Sequence, residues 1–144
     1  MNTSKHPMLE LALSIATEAH GGQFDKAGID YIEHPIFVAS QVDSEEEKAV
    51  ALLHDVIEDS SVTAEELLNA GLPETVVTAV QILSKKKGQD YQTYLKTVKS
   101  NPLARAVKLA DLKHNSDLLR LETITDKDLE RLEKYKKAID YLSM

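Results

Sequence analysis

His54 and Asp55 stand side by side in an apolar stretch, and two more acids, Glu58 and Asp59, follow one turn later. Read as a helix over 45–59 at about 100° per residue, His54, Asp55, Glu58 and Asp59 share an arc of roughly 140°. Ala49, Leu52, Leu53, Val56 and Ile57 fall on the opposite side. One face packs and the other carries an imidazole and three carboxylates. Imidazole with carboxylate suits manganese, iron or zinc, whereas all-oxygen shells suit magnesium and calcium. The same doublet also fits a solvated acidic face with one half-buried histidine, because two adjacent ligands cannot close a site.

Two further residues supply the missing ligand types. His34 stands at the start of a helix, and Asp111 interrupts the apolar run that follows Val107. Two imidazoles and two carboxylates fill four positions of a roughly six-coordinate ion and leave two for water or a substrate oxygen. An open site of that kind is what hydrolysis requires.

The elements that must position these groups all read as helices, since apolar residues recur at spacings of three and four rather than two. The first runs over about Pro7 to His20 and is stopped by Gly21 and Gly22. Residues 23–33 form a loop with turn-forming Gly28 and paired aspartates, and Pro35 is expected at the first helical position of a short helix behind His34. Ser44 with Glu47 and Thr63 with Glu66 are capping boxes that open the 45–59 helix and a short one ending near Gly71. Helices from Pro73 to about Leu83, over 90–100, over 103–121 and from Asp126 to about Leu142 complete the chain. The expectation is an all-α, single-domain helical bundle over 1–144 with seven or eight helices.

Composition narrows the function classes. A chain of 144 residues with 42% hydrophobic and 28% charged residues is a folded globular domain rather than a disordered one. No cysteine is present, so disulfides, thiolate metal sites and cysteine nucleophiles are excluded and any metal must use His, Asp and Glu. With neither a signal-like leader nor a membrane-length apolar run, the expected compartment is the cytoplasm, with no membrane partner. A net charge of −7 argues against a nucleic-acid partner, which needs a basic surface. An acidic chain that acts on phosphate needs a metal and local lysines, and Lys85, Lys86 and Lys87 form such a group. The sequence leaves homo-oligomerisation open.

Three stretches, 19-AHGGQFDKAGIDYIEHPIFVA-39, 51-ALLHDVIED-59 and 108-KLADLKHN-115, occur in the order and spacing of a known family. By them the chain resembles the HD-domain metal-dependent phosphohydrolases, and within these the guanosine tetraphosphate hydrolases of the RelA/SpoT type and their small stand-alone relatives. The resemblance implies the HD-type helical fold, with His34, His54, Asp55 and Asp111 as ligands of a manganese ion and Glu58 and Asp59 as the catalytic acids. It implies that Lys26 and Asn115 bind a small phosphorylated nucleotide, guanosine 3′,5′-bis(diphosphate) being cleaved to GDP and pyrophosphate. His20 and His114 are read as satisfied core histidines, and Tyr31 as packing near the pocket wall.

Departures from the family concern the substrate. Asp25 stands where the relatives carry an arginine near the base, Ala27 replaces a small hydroxyl residue, Leu112 an arginine and Leu118 a threonine. A different phosphorylated nucleotide therefore competes with guanosine tetraphosphate. A non-catalytic domain that binds metal and nucleotide is the alternative function, and a metal-free helical adaptor is the third reading. Nothing resembles the synthetase or regulatory domains of the long bifunctional relatives, so hydrolysis alone is expected.

Overall fold

In the computed structural model, which describes residues 6–25, 27–117, 121 and 123–144, the chain passes through helical segments in the order the capping signals dictate. These are α1 (Pro7–Ala19), α2 (Glu33–Ser40), α3 (Glu45–Leu53), α4 (Val56–Asp59), α5 (Ala64–Asn69), α6 (Glu74–Leu83), α7 (Tyr91–Ser100), α8 (Pro102–Asn115) and α9 (Asp126–Ser143). Among the described residues the only strand-like pairing is a single antiparallel bridge between Phe24 and Asp30. The fold is all-helical.

Caps form where side-chain chemistry provides them. The Ser44 hydroxyl accepts the Glu47 amide at 3.0 Å while the Glu47 carboxylate accepts the Ser44 amide at 3.1 Å, and Thr63 with Glu66 repeats the exchange at α5. Thr125 and Asp128 make a third such box at α9, and Asp90 and Asn101 cap α7 and α8. The second helix differs from expectation at its start. It begins at Glu33, so Pro35 is its third residue rather than its first, and His34 lies within the first turn. The eighth ends at Asn115 with Ser116 as its cap, short of the expected 121, and Leu118 lies outside the described residues.

The 45–59 stretch is not one helix. Its axis breaks at His54 and Asp55, where Asp55 has φ −105° and ψ 0°, so α3 and the single turn α4 are separate segments. The His54 amide bonds only to Ala51 three residues back, at 3.5 Å, and the His54 ring Nδ1 meets the same carbonyl at 2.6 Å. A side chain that shares the last carbonyl of the helix competes with continuation of the α-helical ladder. The four polar residues therefore lie along a bend and not on one straight face.

Packing centres on α3, whose Ala49, Val50, Ala51, Leu52 and Leu53 are all buried and which touches α1, α2, α6 and α8. The last five residues of α3 are buried all round, while Glu45 and Glu46 in its first turn are exposed. Opposite it, α8 buries Ala104, Val107, Ala110, Asp111 and Leu112 against α2, α3, α6, α7 and α9. An aspartate in that row is the polar exception on which the site is built. Leu129 on α9 is half exposed.

Candidate metal centre

Three helices deliver the candidate ligands to one point. His34 comes from the first turn of α2, His54 and Asp55 from the bend between α3 and α4, and Asp111 from the middle of α8. His34, His54 and Asp111 are all buried, and each offers a ligand atom within 4.8 Å of the others. His34 Nε2 lies 2.7 Å and His54 Nε2 3.4 Å from the same Asp111 Oδ1. Asp55 joins from the other side, its Oδ2 3.0 Å from His54 Nε2, and the Tyr31 hydroxyl donates to that same oxygen.

Outer contacts orient the rings. His34 Nδ1 meets His114 Nδ1 at 2.7 Å and His54 Nδ1 meets the Ala51 carbonyl, so both imidazoles turn Nε2 toward the carboxylates. An imidazole whose other nitrogen is held by the protein is the arrangement of a metal ligand. His54 Nε2 is also fully buried and makes no hydrogen bond despite two carboxylates close by. A cation would satisfy that orphaned nitrogen and the crowded oxygens together. The residues present therefore fit a divalent ion with nitrogen and oxygen ligands.

The charges confirm how tightly the groups are coupled. Burial works to lower the proton affinity of His54, but the nearby carboxylates of Asp55 and Asp111 carry it well above the ordinary histidine value. Burial likewise opposes the charge on Asp111, and the Lys108 ammonium, His34 and His54 overcome it and hold the carboxyl well below its usual range. Asp55 is lowered too, against its burial, chiefly by His54.

Glu58 and Asp59 sit on α4, one turn beyond the bend. Burial raises the proton affinity of both, and the Asp55 charge raises it further, while Lys108 and Lys85 draw Glu58 back down and His20 and His54 do the same for Asp59. The Asn115 amide donates to Asp111 Oδ1 at 3.1 Å, and its side chain lines a cavity of about 260 Å³ with Phe24, Asp25, Ala27, Tyr31 and Arg131. A second groove runs from Glu58 to Lys85, Lys86 and Lys87. A cavity of about 450 Å³ against Phe37, Lys113 and His114 is lined by none of the candidate ligands. Lys26 lies outside the described residues.

Sequence reasoning missed Lys108. It is largely buried, its Nζ 3.1 Å from Asp111 Oδ2 and 5.5 Å from the centre of the Tyr94 ring. Burial disfavours its charge, yet Asp111 and Tyr94 raise its proton affinity. The available signal was its place three residues before Asp111 on one helix face. His20 also departs from the expectation of a satisfied core histidine, for its Nε2 is buried without a hydrogen bond. Asp25 turns its Oδ1 to the amides of Ala27 and Ile29 at 2.8 and 3.0 Å, which builds the 23–33 loop. Leu112 is buried in the core.

No family model matches the chain. It is 39% identical over 116 residues to the guanosine-3′,5′-bis(diphosphate) 3′-pyrophosphohydrolase of Haemophilus influenzae, covering 70% of this chain and 17% of that protein. It is 34% identical over 123 residues to the bifunctional (p)ppGpp synthase/hydrolase SpoT of Escherichia coli, covering 74% and 17%. With the GTP pyrophosphokinase rsh of Brucella ovis it shares 31% over 122 residues, covering 75% and 16%. The chain thus spans about a sixth of the length of these relatives. Its backbone superposes on a metazoan ortholog of SpoT that hydrolyzes ppGpp with a TM-score of 0.77 at 24% identity, over 98% of this chain and 88% of that one. Sequence likeness to the SpoT and Rsh proteins and a shared fold over almost its entire length together identify the chain as their relative, an all-helical domain of the HD type.

Proposed function

We propose that this chain is a metal-dependent phosphohydrolase that cleaves guanosine 3′,5′-bis(diphosphate) to GDP and pyrophosphate, or acts on a closely related phosphorylated nucleotide. The observation that carries this reading is the convergence of His34, His54 and Asp111 around an orphaned His54 nitrogen, with an acid pair one turn away. Likeness to proteins that carry this activity supports it.

His34, His54, Asp55 and Asp111 would hold the ion, with Mn2+ the proposed metal on the strength of the mixed nitrogen and oxygen donor set. A bound divalent cation supplies Lewis acidity to water and to a phosphate oxygen. Glu58 and Asp59 take the proton of the attacking water, a task suited to carboxylates whose proton affinity burial has raised toward working pH. The water oxygen bonds to the phosphorus on the 3′ oxygen, the 3′ oxygen–phosphorus bond breaks, and the 3′ oxygen takes up the proton that the acid pair received from the water and leaves as a hydroxyl. Lys85, Lys86 and Lys87 offer positive charge to the released pyrophosphate, and the cavity at Tyr31 and Asn115 takes the nucleoside. A cysteine-free chain suits the reducing cytoplasm in which such a nucleotide would be met.

One observation favours a narrower reading. Asp25 turns Oδ1 to amides of its own loop and Leu112 is in the core, so neither supplies the positive charge that arginines give the relatives. The chain would then bind metal and nucleotide without turnover. Mn2+-loaded protein incubated with a nucleotide panel decides the matter, with GDP and pyrophosphate resolved by ion-exchange chromatography. Turnover of at least one nucleotide that disappears in Glu58→Ala/Asp59→Ala, with metal content retained, upholds hydrolysis. Binding without turnover by the wild type upholds the narrower reading.

A further inference from the structure

Gln23 ties the end of α1 to the end of α4. Its amide nitrogen donates to the Ala19 carbonyl at 3.4 Å and to the Asp59 carbonyl at 3.0 Å, and its Oε1 lies 2.9 Å from His20 Nδ1. With the amide hydrogens directed at main-chain carbonyls, Oε1 accepts, and the network assigns the imidazole proton to Nδ1. His20 Nε2 is then a bare lone pair, buried and without a hydrogen-bond donor, on a ring 4.9 Å from that of Tyr31. Tyr31 in turn donates to Asp55. A buried acceptor without a donor is destabilising, and a residue needed only for packing would carry no such group. Rule-breaking polarity of this kind concentrates at sites where geometry serves function.

The helix that this network holds cannot hold itself. α4 is four residues long, too short to persist alone, and it carries both acids of the proposed reaction. We infer that His20 and Gln23 form one positioning unit for Glu58 and Asp59. His20 fixes the rotamer of Gln23, and Gln23 fixes the α4 main chain relative to the loop that follows α1. The inference rests on the reading of Glu58 and Asp59 as the acids that handle the water proton, and it adds two residues outside the proposed ligand and nucleotide-binding sets.

The test compares Gln23→Ala, Gln23→Glu, His20→Phe, His20→Asn and the Gln23→Ala/His20→Phe double variant with the wild type. Steady-state kinetics on the nucleotide that the wild type turns over, Mn2+ content and melting temperature are read for each. Misplaced acids lower kcat about tenfold or more. Gln23→Ala and His20→Phe should therefore each lose about that much, with KM and Mn2+ content within about twofold of wild type. Residues acting as a unit are not additive, so the double variant should be no slower than the slower single. His20→Asn, whose amide can stand in for the Nδ1 proton, should recover most of the rate lost in His20→Phe. Gln23→Glu keeps the acceptor for His20 but loses the donors to Ala19 and Asp59, and should match Gln23→Ala even if the alanine variant folds poorly. Unchanged kcat in both Gln23 variants, multiplying losses in the double, or no recovery in His20→Asn overturns the inference alone. A wild type inactive on every nucleotide overturns the proposed function and this inference with it.

Discussion

Removing the Asp111 carboxylate in the absence of metal should unbalance the centre through Lys108. Asp111 accepts from Lys108 Nζ and Asn115 Nδ2, each at 3.1 Å, and lies 2.7 Å from His34 Nε2, with only 6% of its side chain exposed. The Lys108 side chain is 17% exposed, so Asp111→Ala strands a largely buried ammonium. Deleting one partner of a buried ion pair costs about 3–5 kcal/mol. Relief of the repulsion between Asp55 and Asp111 and the remaining Tyr94 ring place this case at the low end, about 3 kcal/mol. For a domain of this size that is a fall of about 9 °C in melting temperature. The assay is thermal and urea unfolding with a chelator present, followed by the same measurement on Asp111→Ala/Lys108→Met. Replacing the stranded ammonium by an apolar chain of similar length should return about 1–2 kcal/mol. The reasoning is refuted if Asp111→Ala unfolds within about 1 kcal/mol of wild type, or if Lys108→Met adds an undiminished loss of its own.

Two further outcomes follow from the same geometry. Mn2+ at a hundredfold excess over its dissociation constant should stabilise the wild type by about 2.7 kcal/mol and leave His54→Ala unmoved. A retained melting shift in His54→Ala would remove that histidine from the ligand set. The pH profile carries a sign: Glu58 and Asp59, raised by burial and then by Asp55, must be deprotonated to act, so kcat/KM is present at higher pH and lost as pH falls. The acid limb should lie above the ordinary carboxylate range, and Lys108→Met should move it to higher pH, because Lys108 draws Glu58 down. A limb that stays put or moves down in that variant contradicts the assignment.

Helix starts were legible where capping is local chemistry: Ser44 and Thr63 announce their helices within four residues of sequence. The break at His54 was not, since it has neither glycine nor proline and arises from a side chain competing for the Ala51 carbonyl. Convergence of His34, His54 and Asp111 was what the family resemblance implied, and the fold brings these three together. Lys108 and the unsatisfied nitrogen of His20 escaped notice because burial of a polar atom depends on which helices cross it, and residue spacing does not encode those crossings. Asn115 illustrates the mixture, since an i,i+4 pair on one helix predicts its contact with Asp111 while its place on the cavity wall depends on the loop after α1.

His34 and Asp111 are 77 positions apart along the chain, with His54 between them on a third helix. Closing so large a loop is among the slower events of folding, because its entropy is spent before the contact gives anything back. A nascent chain on the ribosome has no ion-binding cage until the eighth helix has emerged and docked. Metal uptake by the proposed ligands would thereby be tied to completion of the tertiary structure, and an ion held by this cluster would mark a molecule that has finished folding.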